Sequence, residues 1–259
     1  MSERVGHDMR GVVLVTGAAK RVGATVARTL HAAGMTVAIH CRHSRIDADA
    51  LAAALNAERP NSAAVFVADL LDPNALPALI AAVVARFGRL DALVNNASSF
   101  FATPVGAIDA AAWRDLVGSN FQAPLFLSQA AAPHLARAGG CIVNITDIHA
   151  ERPLKGFALY SAAKGGLLTL TRALAIELAP AVRVNAVAPG AIEWPEPVAG
   201  AAAADAFPPA ERDAIIAHTL LGRIGTPADI ARTVKFLILD APYITGQVIN
   251  VDGGRTAHL

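Results

Sequence analysis

The chain has 259 residues, and 22 Lys and Arg stand against 21 Asp and Glu, a formal net charge of +1. So even a balance gives no support for nucleic acid or an anionic membrane surface as the main partner. No run of about 18 apolar residues predicts a membrane span, the opening "MSERVGHDMRG" lacks the apolar core of a signal peptide, and Cys41 and Cys141 make neither a disulfide framework nor a zinc pattern, so a reduced, cytoplasmic protein is expected.

In chain order, "GVVLVTG" (11–17) is a short apolar run ending in a turn signal, the mark of a buried strand. A helix is expected over 21–33, stopped by Gly34, then a strand at 35–40 and a helix at 47–57. "AAVFVADL" predicts the third strand, 73–87 a helix, "LDALVNNA" the fourth strand, and 110–137 one long helix. "GCIVNIT" predicts the fifth strand, 157–178 a helix, "VRVNAVAPG" the sixth strand, 227–239 a helix and "GQVINVDGG" the seventh strand. Strands alternating with helices imply a doubly wound Rossmann-type α/β sheet of about seven parallel strands, with helices on both faces. No linker or internal repeat interrupts the chain, so a single domain is expected. Residues 191–209, "AIEWPEPVAGAAAADAFPP", hold four prolines and no clear period. They predict a long loop after a strand's carboxyl end, a candidate lid over a ligand.

The first strand runs into "TGAAKRVG" (16–23), which opens a helix. Such a turn lets a pyrophosphate approach backbone N–H groups at the helix N-terminus, here with Gly17, Arg21 and Val22 against the cofactor. The loop is glycine-poor, with only Gly17 and Gly23. At the end of the second strand an NAD site wants an acid for the ribose 2′-OH. The chain instead offers "HCRHSR" (40–45), with no acid until Asp47. His40, Arg42, His43, Ser44 and Arg21 would surround a 2′-phosphate with donors, which favours NADPH. A metal pair at His40 and His43 is a rival without a third local ligand.

"TGAAKRVG", "NNASSF", Asn120, "YSAAK" and "APG" occur in the order of the short-chain dehydrogenase/reductase family, which the chain resembles along nearly its whole length. Arg21 stands where the family usually has Gly, and Asp147 where it has Ser. With "NNASSF", "HCRHS" and "ALNAERPNS", these look like the pteridine reductase branch. The resemblance implies that Arg21 touches cofactor phosphate and reaches toward the pterin. It implies that Asp69 sits by the adenine amino group with Leu70 beside it, and that Asn96, Ala97 and Ser98 lie along the cofactor, Ser98 reaching the substrate as well. Phe100 would stack on the substrate ring, Pro189 and Gly190 would bound the nicotinamide pocket, and Trp194 would help close the substrate site. Asn120 would hold a water linking Lys164 to solvent. Family members are often tetramers, so a homo-oligomer is implied.

Tyr160 and Lys164 are four residues apart on one expected helix and share a face. A nearby ammonium is expected to lower the Tyr pKa toward a range useful for proton transfer. Asp147 lies thirteen residues before Tyr160. A carboxylate there accepts hydrogen bonds from N–H and NH2 groups, in which pterins are rich, and suits a nitrogen heterocycle better than a ketone. The expected activity is NADPH-dependent reduction of dihydropterins, with dihydrofolate a further candidate. The alternatives are a carbonyl reductase acting on a 3-oxoacyl thioester or steroid, and a non-catalytic NADP-binding regulator.

Overall fold

The computed structural model describes residues 11–194 and 208–257. Seven strands form one parallel sheet in the order β3-β2-β1-β4-β5-β6-β7. They are β1 (Val12–Val15), β2 (Thr36–Cys41), β3 (Ala63–Val67), β4 (Ala92–Asn95), β5 (Cys141–Ile145), β6 (Arg183–Pro189) and β7 (Val248–Val251). The order reverses between β1 and β4, and a cleft opens there at the carboxyl ends of the strands.

Each inner strand is apolar at nearly every position because both faces of the sheet are covered. Val13 and Val15 of β1 pack with α1 (Arg21–Ala32), α2 (Arg45–Glu58) and α8 (Pro227–Lys235) on one side. Val12 and Leu14 pack with α3 (Ala75–Phe87), α5 (Ala123–Ala138) and α6 (Ala158–Leu178) on the other. Cys41 and Cys141 are free and buried in the first of these layers, and burial pushes the Cys141 thiol up to about 11. No helix among the described residues is long and apolar enough to cross a membrane.

Three expectations need correction. The long helix of 110–137 is interrupted: α4 (Ala110–Val117) passes through a π turn, Gly118–Gln122, before α5. Pro124, in the first turn of α5, cannot supply a backbone N–H, which marks where the ladder changes register. The last long helix likewise ends in a π turn at Phe236–Asp240. Residues Pro209–Ala217 form a helix, α7, that was not expected; the expected loop of 191–209 ends where it begins, with Pro208 as its cap and Pro209 as its first residue. The lid expectation falls on residues 195–207, outside the described residues.

A buried polar chain crosses the sheet beneath the cleft. Asn95 on β4 donates to Asn144 on β5 at 2.8 Å, and Asn144 donates to Thr171 on α6 at 2.9 Å. Thr171 passes its own proton to the Leu167 carbonyl at 2.8 Å. All three side chains are buried, so each needs its partner. Thr171→Val keeps the shape but leaves the Asn144 amide unpaired. Urea unfolding should show a loss of about 1–3 kcal/mol, with the cleft intact. An unchanged midpoint would mean that the chain is not a stabilising element.

Candidate active site

The cleft has a volume of about 510 Å3 and draws its lining from the carboxyl ends of β1 to β6. Gly17 turns with φ +61°, and a Cβ there would stand 2.9 Å from the Ala97 Cα. A Cβ at Gly23 would meet the Gly17 carbonyl oxygen at 2.3 Å. The glycine-poor loop therefore has glycine at two positions where nothing larger fits. The Thr16 hydroxyl accepts from the backbone N–H of Asn96 at 2.9 Å and of Ala97 at 3.0 Å, and donates to the Val94 carbonyl. The Asn96 amide donates back to the carbonyls of Thr16 and Gly17. These bonds lock the loop after β1 to the loop after β4.

Of the residues singled out from sequence, Gly17, Arg21, Val22, His40, Arg42, Asp69 and Leu70 line the end of the cleft near β1 to β3. Asn96, Ala97, Ser98, Phe100, Asp147, Tyr160, Lys164, Pro189 and Gly190 line the rest. His43, Ser44, Asn120 and Trp194 are not among the lining residues. His43 is exposed and Ser44 precedes the first turn of α2, because the chain has already turned away from the sheet edge. His40 is buried and structural in its contacts. Its Nδ1 accepts from the Gly17 N–H at 3.1 Å, which leaves Nε2 to donate to the Ala68 carbonyl at 3.2 Å. Burial lowers its pKa, and both nitrogens are engaged within the protein. Arg42 instead pairs with Asp69 at 3.1 Å, both side chains being near two-fifths exposed.

Asn120 lies in the π turn and backs the cleft wall. It accepts from the Ser98 hydroxyl at 2.6 Å and donates to the Ser99 and Leu116 carbonyls. Phe100 stacks on Phe157 with centroids 4.6 Å apart and meets Tyr160 edge-on at 4.8 Å. Trp194 lies under the Arg212 guanidinium at 5.3 Å, at the foot of α7. Sequence reasoning missed Thr16, Lys20, Ser99, Ser119 and Ile192, all in or behind the lining except Thr16, which organises it. The signal for Thr16 was its place between an apolar strand and Gly17.

Arg21 opens α1 with φ +51°, a left-handed conformation that costs a residue with a Cβ roughly 1–2 kcal/mol. Its Nη2 donates to the Glu193 carbonyl at 3.3 Å, and its Nε lies 3.9 Å from the Glu193 carboxylate.

The Tyr160 hydroxyl donates to Asp147 Oδ2 at 2.7 Å. Asp147 has an extended backbone and caps the short 3₁₀ turn Ile148–Ala150, its Oδ1 accepting from the His149 N–H at 2.8 Å. Lys164 is buried and donates to the Ile145 carbonyl at 2.9 Å. The expected lowering of the Tyr160 pKa is overturned. Burial, then the Asp147 charge and its hydrogen bond, push the phenol well above its usual range, with the Ser98 hydroxyl acting the other way. Tyr160 is therefore a neutral donor. Burial lowers Lys164 to about 8, with Asp147 opposing. Arg255 joins this neighbourhood from the far end of the chain: burial lowers its pKa, and the charges of Asp147, Asp252 and Glu211 raise it.

Comparison with known proteins places this geometry. Residues 17–256 match the family model described as enoyl-(acyl carrier protein) reductase. Pteridine reductase 1 of Leishmania tarentolae is 38% identical, over 94% of this chain and 95% of that protein. A protein designated ketoacyl reductase 2 of the granaticin polyketide synthase, from Streptomyces violaceoruber, is 41% identical over 96% of each chain. The 3-oxoacyl-[acyl-carrier-protein] reductase of Staphylococcus aureus is 35% identical over 93% of this chain and 96% of its own. With a seven-stranded parallel sheet and a model match over nearly all of its length, the chain belongs to the short-chain dehydrogenase/reductase family and is an oxidoreductase of that family.

Proposed function

We propose that this chain reduces dihydropterins, and by extension dihydrofolate, with NADPH. The observation that carries the reading is the 2.7 Å bond from Tyr160 to Asp147 in the cleft. A carboxylate can only accept, and a pteridine edge offers N–H and NH2 donors. A carbonyl substrate brings acceptors, for which a hydroxyl would serve better.

The residues present fit a dinucleotide. The turn at Gly17 and the close packing of Gly23 in the first turn of α1 let a pyrophosphate approach the backbone N–H groups at the start of α1. Arg42 and Lys20 supply cationic groups at the adenosine end, where Asp69 holds Arg42 in place. Tyr160, Lys164, Pro189 and Gly190 would hold the nicotinamide at the other end of the cleft, where it would supply the hydride. Tyr160 holds the proton and delivers it to the ring nitrogen, because its raised pKa keeps it protonated until a base presents itself. Asp147 orients the phenol through Oδ2 and accepts from the substrate's donors. Lys164 keeps two donors beyond the one it gives to Ile145, enough for the hydroxyls of the nicotinamide ribose. Asn120 sets the wall through Ser98 and Ser99.

NADPH should bind at least tenfold better than NADH, which is about 1.4 kcal/mol. Arg42→Ala should erode that gap, and His43→Ala should matter less because His43 lies off the cleft lining. Equal affinities of the intact protein for the two cofactors would remove the assignment.

The alkaline limb of kcat/KM should track Lys164. With its pKa lowered to about 8, the ammonium is present below that pH and lost as pH rises through it. Activity should fall above about pH 8, while Tyr160 stays protonated throughout. Lys164→Arg, which does not titrate in this range, should move the limb upward even if it lowers the maximum. A limb that stays put would assign it to another group.

Asp147 tests the substrate. Ser also caps short turns well, so Asp147→Ser should keep the fold. It should cut kcat for dihydropterin by a factor on the order of 10² and spare an activated ketone. Asp147→Asn separates charge from shape. The measurement is the ratio of kcat/KM for dihydropterin to that for a 3-oxoacyl thioester in the three proteins. A ratio unmoved by both substitutions would favour the carbonyl reading.

A further inference from the structure

Glu193 and Arg21 meet across the mouth of the cleft, 172 positions apart in sequence. Arg21 stands on the rim formed by the loop after β1. Glu193 follows Pro189, Gly190 and Ile192, which form the opposite rim. Both residues have left-handed backbones, φ +51° and +50°, a conformation that residues with a Cβ adopt rarely and at a cost. At Glu193 this turn aims the backbone carbonyl and the carboxylate at the same guanidinium. The atoms engaged are Nε and Nη2, which form the side edge of the fork, the edge that takes a carboxylate or phosphate in bidentate fashion.

We infer that Glu193 is an internal stand-in for the ligand's anionic group on Arg21, so that cofactor binding and release proceed by exchange of partners on this guanidinium. The inference rests on the proposed NADPH site and on the contact with cofactor phosphate that the family resemblance implies for Arg21. The pair is half-exposed on both sides, 48% each, so it is weak enough to yield to a phosphate, which carries more charge and more acceptors. When the phosphate leaves, Glu193 retakes the fork. It thereby lowers the affinity for the cofactor and speeds release of the oxidised form.

The test uses four proteins: the unaltered chain, Glu193→Gln, Arg21→Ala and the double variant. Fluorescence titration gives Kd for NADPH, and stopped flow gives the release rate of NADP+. Gln keeps the length and removes the charge, so a loss of fold is not expected, and a matching Tm checks this. Glu193→Gln should tighten NADPH about threefold to tenfold and slow NADP+ release by a similar factor. Arg21→Ala should weaken NADPH binding, and in that background Glu193→Gln should change nothing further. An unchanged or weaker Kd in Glu193→Gln overturns the inference. So does an equal tightening in the Arg21→Ala background, which would make Glu193 a general repulsive charge. If Arg21→Ala alone leaves Kd unaltered, the role given to Arg21 fails, and the inference falls with it.

Discussion

The hydroxyl of Thr16 closes a gap that the fold itself creates. Where the strand order reverses, β1 and β4 are neighbours but their crossovers leave to opposite sides. The chain ends there need a tie that is not part of either helix layer. Thr16 supplies it by accepting from two successive N–H groups of the β4 loop and donating to Val94. Asn96 returns two bonds to the β1 loop, and His40 fastens the same loop to β2 and β3. With these three side chains spent on backbone, the glycine turn stands at a fixed height above the sheet. The close approach at Gly17 and Gly23 is its consequence: Cβ atoms there would strike the very segments that Thr16 and Asn96 hold together.

Below that floor the sheet is sealed on both faces, so polar groups reach the cleft from strand ends, as Asp147 does after β5, and from the first turns of α6, as Tyr160 and Lys164 do. This accounts for the crowding of Asp147, Tyr160 and Lys164 within one small volume. Two of the three are nearly inaccessible, and burial acts on them in opposite directions, raising the phenol and lowering the ammonium. Both shifts favour the neutral form, as desolvation must. Asp147 counters the shift at Lys164 and deepens it at Tyr160. One carboxylate thus keeps the proton on the phenol and sustains the charge on the lysine.

The fold was legible because its signals are long-range averages. Seven apolar runs separated by helical stretches leave few alternatives to a parallel sheet. Parts of the site were legible because Gly17, Asp147, Tyr160 and Lys164 sit at strand ends and in motifs. Residues whose role depends on side-chain direction were not. His40 looked like a phosphate donor in "HCRHSR", yet it points inward and both its nitrogens serve the loop. His43 and Ser44 looked equivalent to Arg42, but they lie where the chain turns toward α2, with Ser44 as the cap residue before Arg45. Asn120 was expected within a continuous helix, and a π turn is invisible in apolar periodicity because it adds a single residue to one turn. Arg255 is 108 residues from Asp147 in sequence, and nothing local announces that they share a field.

Relatives that carry pteridine and 3-oxoacyl names align with this chain over more than nine-tenths of its length. The shared sheet therefore cannot be what separates the two chemistries. What remains is the complementarity of a few acceptors and donors in the cleft, and this discriminates unequally. Asp147 is half-buried and already accepts from Tyr160 and from the His149 N–H, so a substrate that brings only acceptors adds no partner to the carboxylate and meets its charge instead. A site built around a hydroxyl tolerates either kind of partner, since the hydroxyl can donate or accept. On the proposed reading, Asp147 would select by which substrate edge brings donors to the carboxylate. Tyr160 strengthens the effect by already occupying Oδ2 at 2.7 Å. A carbonyl oxygen seeking that proton would have to compete with the carboxylate, whereas on the proposed reading a ring nitrogen flanked by N–H groups would engage both residues at once.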